Sequence, residues 1–140
     1  MKLDVAQKIV TATLAHARSK SMKPLSVVIL DDRGALKAAA SEDGTSLKRA
    51  EIAIAKAHGA LAMGMGTRSL FTRAQQQPYF IAAATHAVGQ LVPVPGGVLI
   101  LGTDKALLGA IGVSGDTSDN DEEAALAGIG VAGLTGDPGV

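Results

Sequence analysis

Apolar positions recur along the first part of the chain at Ala6, Ile9, Val10, Thr13, Leu14 and Ala17, the three-and-four spacing of an amphipathic helix. Asp4 followed by Gln7 has the form of a capping box, and Pro24 bounds the far end, so a helix is predicted over Val5 to Lys20. The pattern then changes period. Leu25 to Leu30 is an unbroken β-rich run that stops at the turn sequence Asp31-Asp32-Arg33-Gly34, and Ala35 to Ala40 follows as its hairpin partner. After a second turn at Glu42-Asp43-Gly44, helical spacing returns over Ser46 to Met63. Leu47, Ala50, Ile54, Ala57 and Leu61 form its expected apolar stripe, with Lys48, Arg49, Glu51 and Lys56 mostly off it. Gly64 and Gly66 stop this helix.

Two shorter helices are predicted next, from Thr67 to Arg73 and from Pro78 to about His86. The loop Val92 to Gly97 leads into a strand at Val98 to Leu101, a turn at Gly102 to Lys105 and a returning strand at Ala106 to Val113. Ser118 is the expected N-cap of a last helix, with Asp119, Asp121, Glu122 and Glu123 at its positive end. From Gly128 onward the glycine-rich tail is expected to fray or dock loosely. Hairpins give antiparallel pairs, so the expected fold is one α+β domain, an antiparallel sheet of two hairpins flanked by helices.

Composition sharpens this picture. At 140 residues and 47% hydrophobic content the chain can build a real core. That core is aliphatic, with one Tyr, two Phe and no Trp. Together with 17 glycines, this predicts close backbone contacts and help from a homo-oligomer. Thirteen basic residues balance thirteen acidic ones with no basic patch, which argues against nucleic acid as a partner. There is no cysteine, hence no disulfide, thiolate metal site or cysteine nucleophile. The N-terminus lacks the apolar core of a signal peptide, and the apolar runs fall far short of the ~20 residues that span a bilayer. A cytoplasmic protein with no membrane partner is the expectation.

Two segments carry a resemblance. Gly109-Ala110-Ile111-Gly112-Val113-Ser114-Gly115, followed by Asp121-Glu122 and a small-residue helix through Ala127-Gly128-Ile129, is similar to the closing strand, loop and helix of the GlcG/HbpS-like family. That family includes haem-binding proteins and the C-terminal domain of PduO-type proteins. Val27-Val28-Ile29-Leu30-Asp31 with Gly34, then Asp43-Gly44 and Ala55-Lys56-Ala57, resembles its first hairpin and next helix; Pro95-Gly96-Gly97 resembles its glycine-rich loop. The likeness runs in order from Leu3 to Ile129. The chain departs from the family in lacking a basic residue just before Asp43, in having His58 where an aromatic is usual, and over Arg68 to Gln90. The resemblance implies a profilin-like α+β fold, frequent multimerisation, and, in some members, haem or tetrapyrrole binding or haem breakdown. No axial ligand carries over from it.

The candidate site therefore centres on His58, as metal (haem iron) ligand or as general acid/base, the two uses of a neutral imidazole near pH 7. A half-exposed helix histidine is the plainer reading. Lys56 would neutralise a ligand carboxylate or pair with Asp31 or Asp43. Gly112, Ser114 and Gly115 could present backbone N–H groups to a carboxylate, phosphate or haem propionate, although Asp116 to Glu123 opposes a strongly anionic ligand. Gly96 and Gly97 would let backbone approach a bound group. His16 and His86 are read as structural, although two histidines from different helices could sandwich an iron. No zinc spacing, catalytic triad, Walker loop or dinucleotide fingerprint occurs. The expected function is a haem- or tetrapyrrole-binding, or haem-degrading, accessory protein. The alternatives are a lyase, isomerase or tautomerase for a carboxylated metabolite, with Lys56 and His58 catalytic, and a non-catalytic structural or sensory module.

Overall fold

The computed structural model describes residues 1–140. Its elements are α1 (Leu3–Ser19), β1 (Ser26–Asp31), β2 (Leu36–Ser41), α2 (Arg49–Met63), α3 (Thr67–Gln76), α4 (Pro78–Val88), β3 (Gly97–Leu101), β4 (Leu107–Ser114), α5 (Ser118–Val131) and β5 (Thr135–Asp137). The strands form one antiparallel sheet in the order β2-β1-β4-β3-β5. Both predicted hairpins are present, and pairing of β1 with β4 joins them at the centre.

The unbroken apolar run of β1 has a direct cause, because both faces of the sheet are covered. Val27 and Ile29 point to one side, with Val98, Ile100, Ile111 and Val113, where α1 and α5 pack through Ile9, Ala17, Ala125 and Ile129. Val28 and Leu30 point to the other, with Leu99 and Ala110, against Ala53, Ala57 and Ala60 of α2. A smaller cluster of Leu70, Ile81 and Leu91 holds the α3–α4 hairpin beside them.

Small residues set how closely these layers approach. A Cβ on Gly112 would lie 1.8 Å from the Ala53 carbonyl oxygen, and one on Gly97 would lie 2.4 Å from that of Lys56. The backbone of α2 thus rests directly on β3 and β4. On the opposite face, a Cβ on Gly128 would lie 2.0 Å from Thr13 Oγ1, so α5 crosses α1 at that glycine.

The expectations fail at helix ends. Lys2, not Asp4, is the N-cap of α1; Asp4 lies in the first turn and accepts from the Val5 N–H at 2.9 Å. Thr117, not Ser118, caps α5, its side chain accepting from the Asn120 N–H. Helix α2 starts at Arg49 rather than Ser46, and Leu47, expected on its buried stripe, is 87% exposed. Its buried face is Ala53, Lys56, Ala57 and Ala60, so Lys56 points inward. The tail neither frays nor stays loose. Helix α5 continues past Gly128 to Val131, and β5 then pairs with β3 at the sheet edge. The Pro138 carbonyl accepts from the Arg68 N–H at 3.1 Å, fastening the last residues to α3.

Candidate functional site

Lys56, Gly96, Gly97 and Gly112 meet between α2 and the sheet. Lys56 is 2% exposed, and its Nζ donates to the Val113 carbonyl at 2.9 Å and to Asp121 Oδ2 at 3.0 Å. The other Asp121 oxygen accepts from the Asp116 N–H at 3.0 Å. The partner of Lys56 is therefore Asp121, not Asp31 or Asp43. A Cβ on Gly96 would sit 2.8 Å from Lys56 Nζ, so glycine is what admits the ammonium. Thr67 closes the node, with Oγ1 accepting from the Gly97 N–H at 2.8 Å. Burial holds the Lys56 ammonium below its ordinary value and pushes the Asp121 carboxyl above its own; each charge opposes the other's shift. No cavity opens on this pair, so the glycines here serve contact between layers.

His58 lies two residues on but faces elsewhere. It is half-buried, and its Nδ1 donates to the Gln90 carbonyl at 2.7 Å, which leaves the lone pair on Nε2. It borders a shallow recess with Asp32, Arg33, Gly34 and Leu61, of about 190 Å³. Small-molecule sites commonly enclose about 300–1,000 Å³, so a macrocycle exceeds this recess. His86 is exposed on α4. Ser114 and Gly115 lie at the end of β4, beside Arg49, whose Nη1 donates to Ser114 Oγ at 3.3 Å.

The largest open groove is on the opposite face of the molecule, between α1 and α5, at about 730 Å³. Its lining includes Lys8, Ala12, Ala15, His16, Ala127 and Val131. His16 Nε2 contacts Glu123 Oε2 at 2.8 Å, so a carboxylate from α5 orients an imidazole from α1. Read with the proton on Nε2, this contact leaves the Nδ1 lone pair free for a metal, a carboxylate–histidine arrangement frequent at metal sites. Within one chain His16 and His58 stand on opposite faces of the sheet and do not sandwich one iron.

Sequence reasoning passed over Asp121, Glu123 and His16 in this role. Lys56 was expected mostly off the apolar stripe of α2, yet Ala53, Lys56, Ala57 and Ala60 follow i, i+3, i+4, i+7, the spacing that puts the lysine inside. The approach of α1 to α5 leaves no such local trace.

The model of the family described as haem degrading protein HbpS-like matches residues 1–134. The chain belongs to that family. Among solved structures, HbpS aligns at a TM-score of 0.81 and 27% identity over 94% of this chain and 89% of that one. The PduOC–haem complex aligns at 0.85 and 24% over 96% of both chains. Protein ORFY of Klebsiella pneumoniae aligns at 0.83 and 21% over 95% of this chain and 90% of that one. No curated protein matches the chain in sequence. The α+β fold is thus that of HbpS-like proteins, and no helix is long and apolar enough to cross a membrane.

Proposed function

We propose that this HbpS-like chain is a haem-binding accessory protein whose macrocycle site is the α1–α5 groove. The observation that carries the reading is His16, oriented by Glu123 at the wall of a groove floored by Ala12, Ala15, Ala127 and Val131. The parts suit the group: small apolar side chains for a porphyrin face, an imidazole for iron, and Lys8 for a propionate. A PduOC complex with haem in the same fold supports haem as the ligand. A bound haem would supply the redox chemistry of its iron; this chain would supply the ligand nitrogen, the orienting carboxylate and a small-residue wall for one porphyrin face.

Hemin added to the protein should give a saturable Soret shift. His16→Ala should weaken binding roughly tenfold or more, the usual scale for losing a ligand or its support, while His58→Ala should leave it unchanged. A titration in which His58→Ala, and not His16→Ala, abolishes the shift would move the site to the other face of the sheet.

Self-association belongs to the same reading. Helix α4 has the sequence PYFIAAATHAV yet buries only Ile81, and Tyr79 is 70% exposed. An apolar helix left this bare is suited to a second copy. Light scattering should give a multiple of 14.1 kDa; a monomer at micromolar concentration would refute this part alone.

A further inference from the structure

We infer that Arg49, with Ser46, Thr45, Lys23 and Gly115, forms a second site that takes the carboxylate of a small monoanionic ligand. These residues line a recess of about 220 Å³ with Pro24 and Gly44, and none of its lining residues is hydrophobic. It lies at the end of β4 where α2 begins, away from the α1–α5 groove, and it stands independently of the haem reading.

The arginine is the decisive part. It is half-buried at the first position of α2, yet it makes no ion pair with any carboxylate of the chain. Its protein partners are two neutral hydroxyls: Nε donates to Ser46 Oγ at 3.0 Å and Nη1 to Ser114 Oγ at 3.3 Å. A guanidinium carries five N–H donors, so both on Nη2 find no acceptor in the chain. Because each serine oxygen accepts from Arg49, each hydroxyl hydrogen is free to donate. That of Ser46, on the wall of the recess, can reach the same anion.

The nearby carboxylates are already committed. Asp116 accepts from the Lys23 N–H, the Thr117 N–H and Asn120 Nδ2. Glu42 accepts from the Leu25 N–H and pairs with Arg18. Together with exposed Asp43 in the adjoining recess, they make the surroundings unfavourable for a dianion. Two cations, Arg49 and Lys23, against these charges favour a carboxylate over phosphate. A planar carboxylate also matches the guanidinium edge.

The test is a titration with sodium acetate at constant ionic strength, followed in proton–nitrogen correlation spectra, with sodium phosphate as comparison. Acetate should give saturable shifts at the amides of Ser46, Arg49 and Gly115. Arg49→Lys should weaken binding roughly tenfold, because a point charge lacks the fork, and Arg49→Met should abolish saturation. Hemin binding should survive both variants, so failure here is distinct from failure of the groove. Ser46→Ala keeps the arginine and should weaken acetate severalfold, which preserves the test if Arg49→Met does not fold. Three results would overturn the site: shifts that never saturate, saturation that persists in Arg49→Met or is untouched by Ser46→Ala, or phosphate binding more tightly than acetate.

Discussion

The two sides of the sheet use charge in opposite ways. Between α2 and the sheet, Lys56 and Asp121 are both about 2% exposed, and Lys56 Nζ and both Asp121 oxygens have partners within the chain. Between α1 and α5, His16 and Glu123 also touch, but the pair is 24% and 53% exposed and stands at the mouth of an open groove. A closed pair contributes to the fold and presents almost no surface. An open pair contributes little to the fold and retains an orientable nitrogen. Conspicuous residue types in a sequence therefore do not separate architecture from chemistry; the space around them does.

The contrast breaks most readily at Lys56. Lys56→Ala leaves the Asp121 carboxylate buried without its counter-ion, which commonly costs about 3–5 kcal/mol. Urea unfolding should show this loss. The double variant Lys56→Met, Asp121→Leu removes both charges and should recover much of it, since a buried pair is often replaceable by apolar volume. A Lys56→Ala protein as stable as its parent would mean that the node does not hold the layers together.

A smaller effect is expected at the rim of the node. Asp116 is held below the usual carboxylate range chiefly by the Lys23 N–H, then by the Thr117 N–H and the Asn120 side chain. It thereby ties the start of α5 to the segment before β1. A depressed folded value means that the ionised form stabilises the fold. That contribution is complete above the unfolded value of about 3.9 and is lost as pH falls through the folded one. Asp116→Asn should cost about 1 kcal/mol at neutral pH, the scale of a charge at a helix N-terminus. The gap to the parent should close as pH falls below the unfolded value and through the depressed folded one, where the parent aspartate protonates. A gap independent of pH would assign the loss to shape rather than charge.

Much of this layout was legible in the sequence, and the parts that were not share a cause. Apolar period placed α1 and α2, because an element that buries a face must repeat its apolar residues; turn sequences between β-rich runs placed both hairpins, and the acidic first turn placed α5. The family likeness of Gly109 to Gly115 led to the fold, and Lys56 was singled out, though with the wrong partner. What stayed hidden depends on contacts distant in sequence. Asp121 is 65 residues from Lys56, and Glu123 is 107 from His16. The β5 strand was invisible because Thr135-Gly136-Asp137 has turn composition and is a strand only through β3. Gly112 looked like a ligand-facing glycine; its actual constraint, the Ala53 carbonyl, comes from a different element.

The smallest expected change in stability is also the most discriminating. His16→Ala removes a contact to Glu123 that is partly in water, and such contacts contribute only about 0–1 kcal/mol. Its unfolding curve should nearly overlay that of the parent even as its hemin affinity falls. Lys56→Ala should do the reverse wherever it remains folded, losing stability while the groove on the opposite face still takes up hemin. If His16→Ala instead unfolds the protein, Glu123 and His16 clamp α1 to α5, and the groove is a seam of the fold. Overlaying curves with lost hemin binding would place the ligand chemistry on the half of the molecule that the fold leaves open.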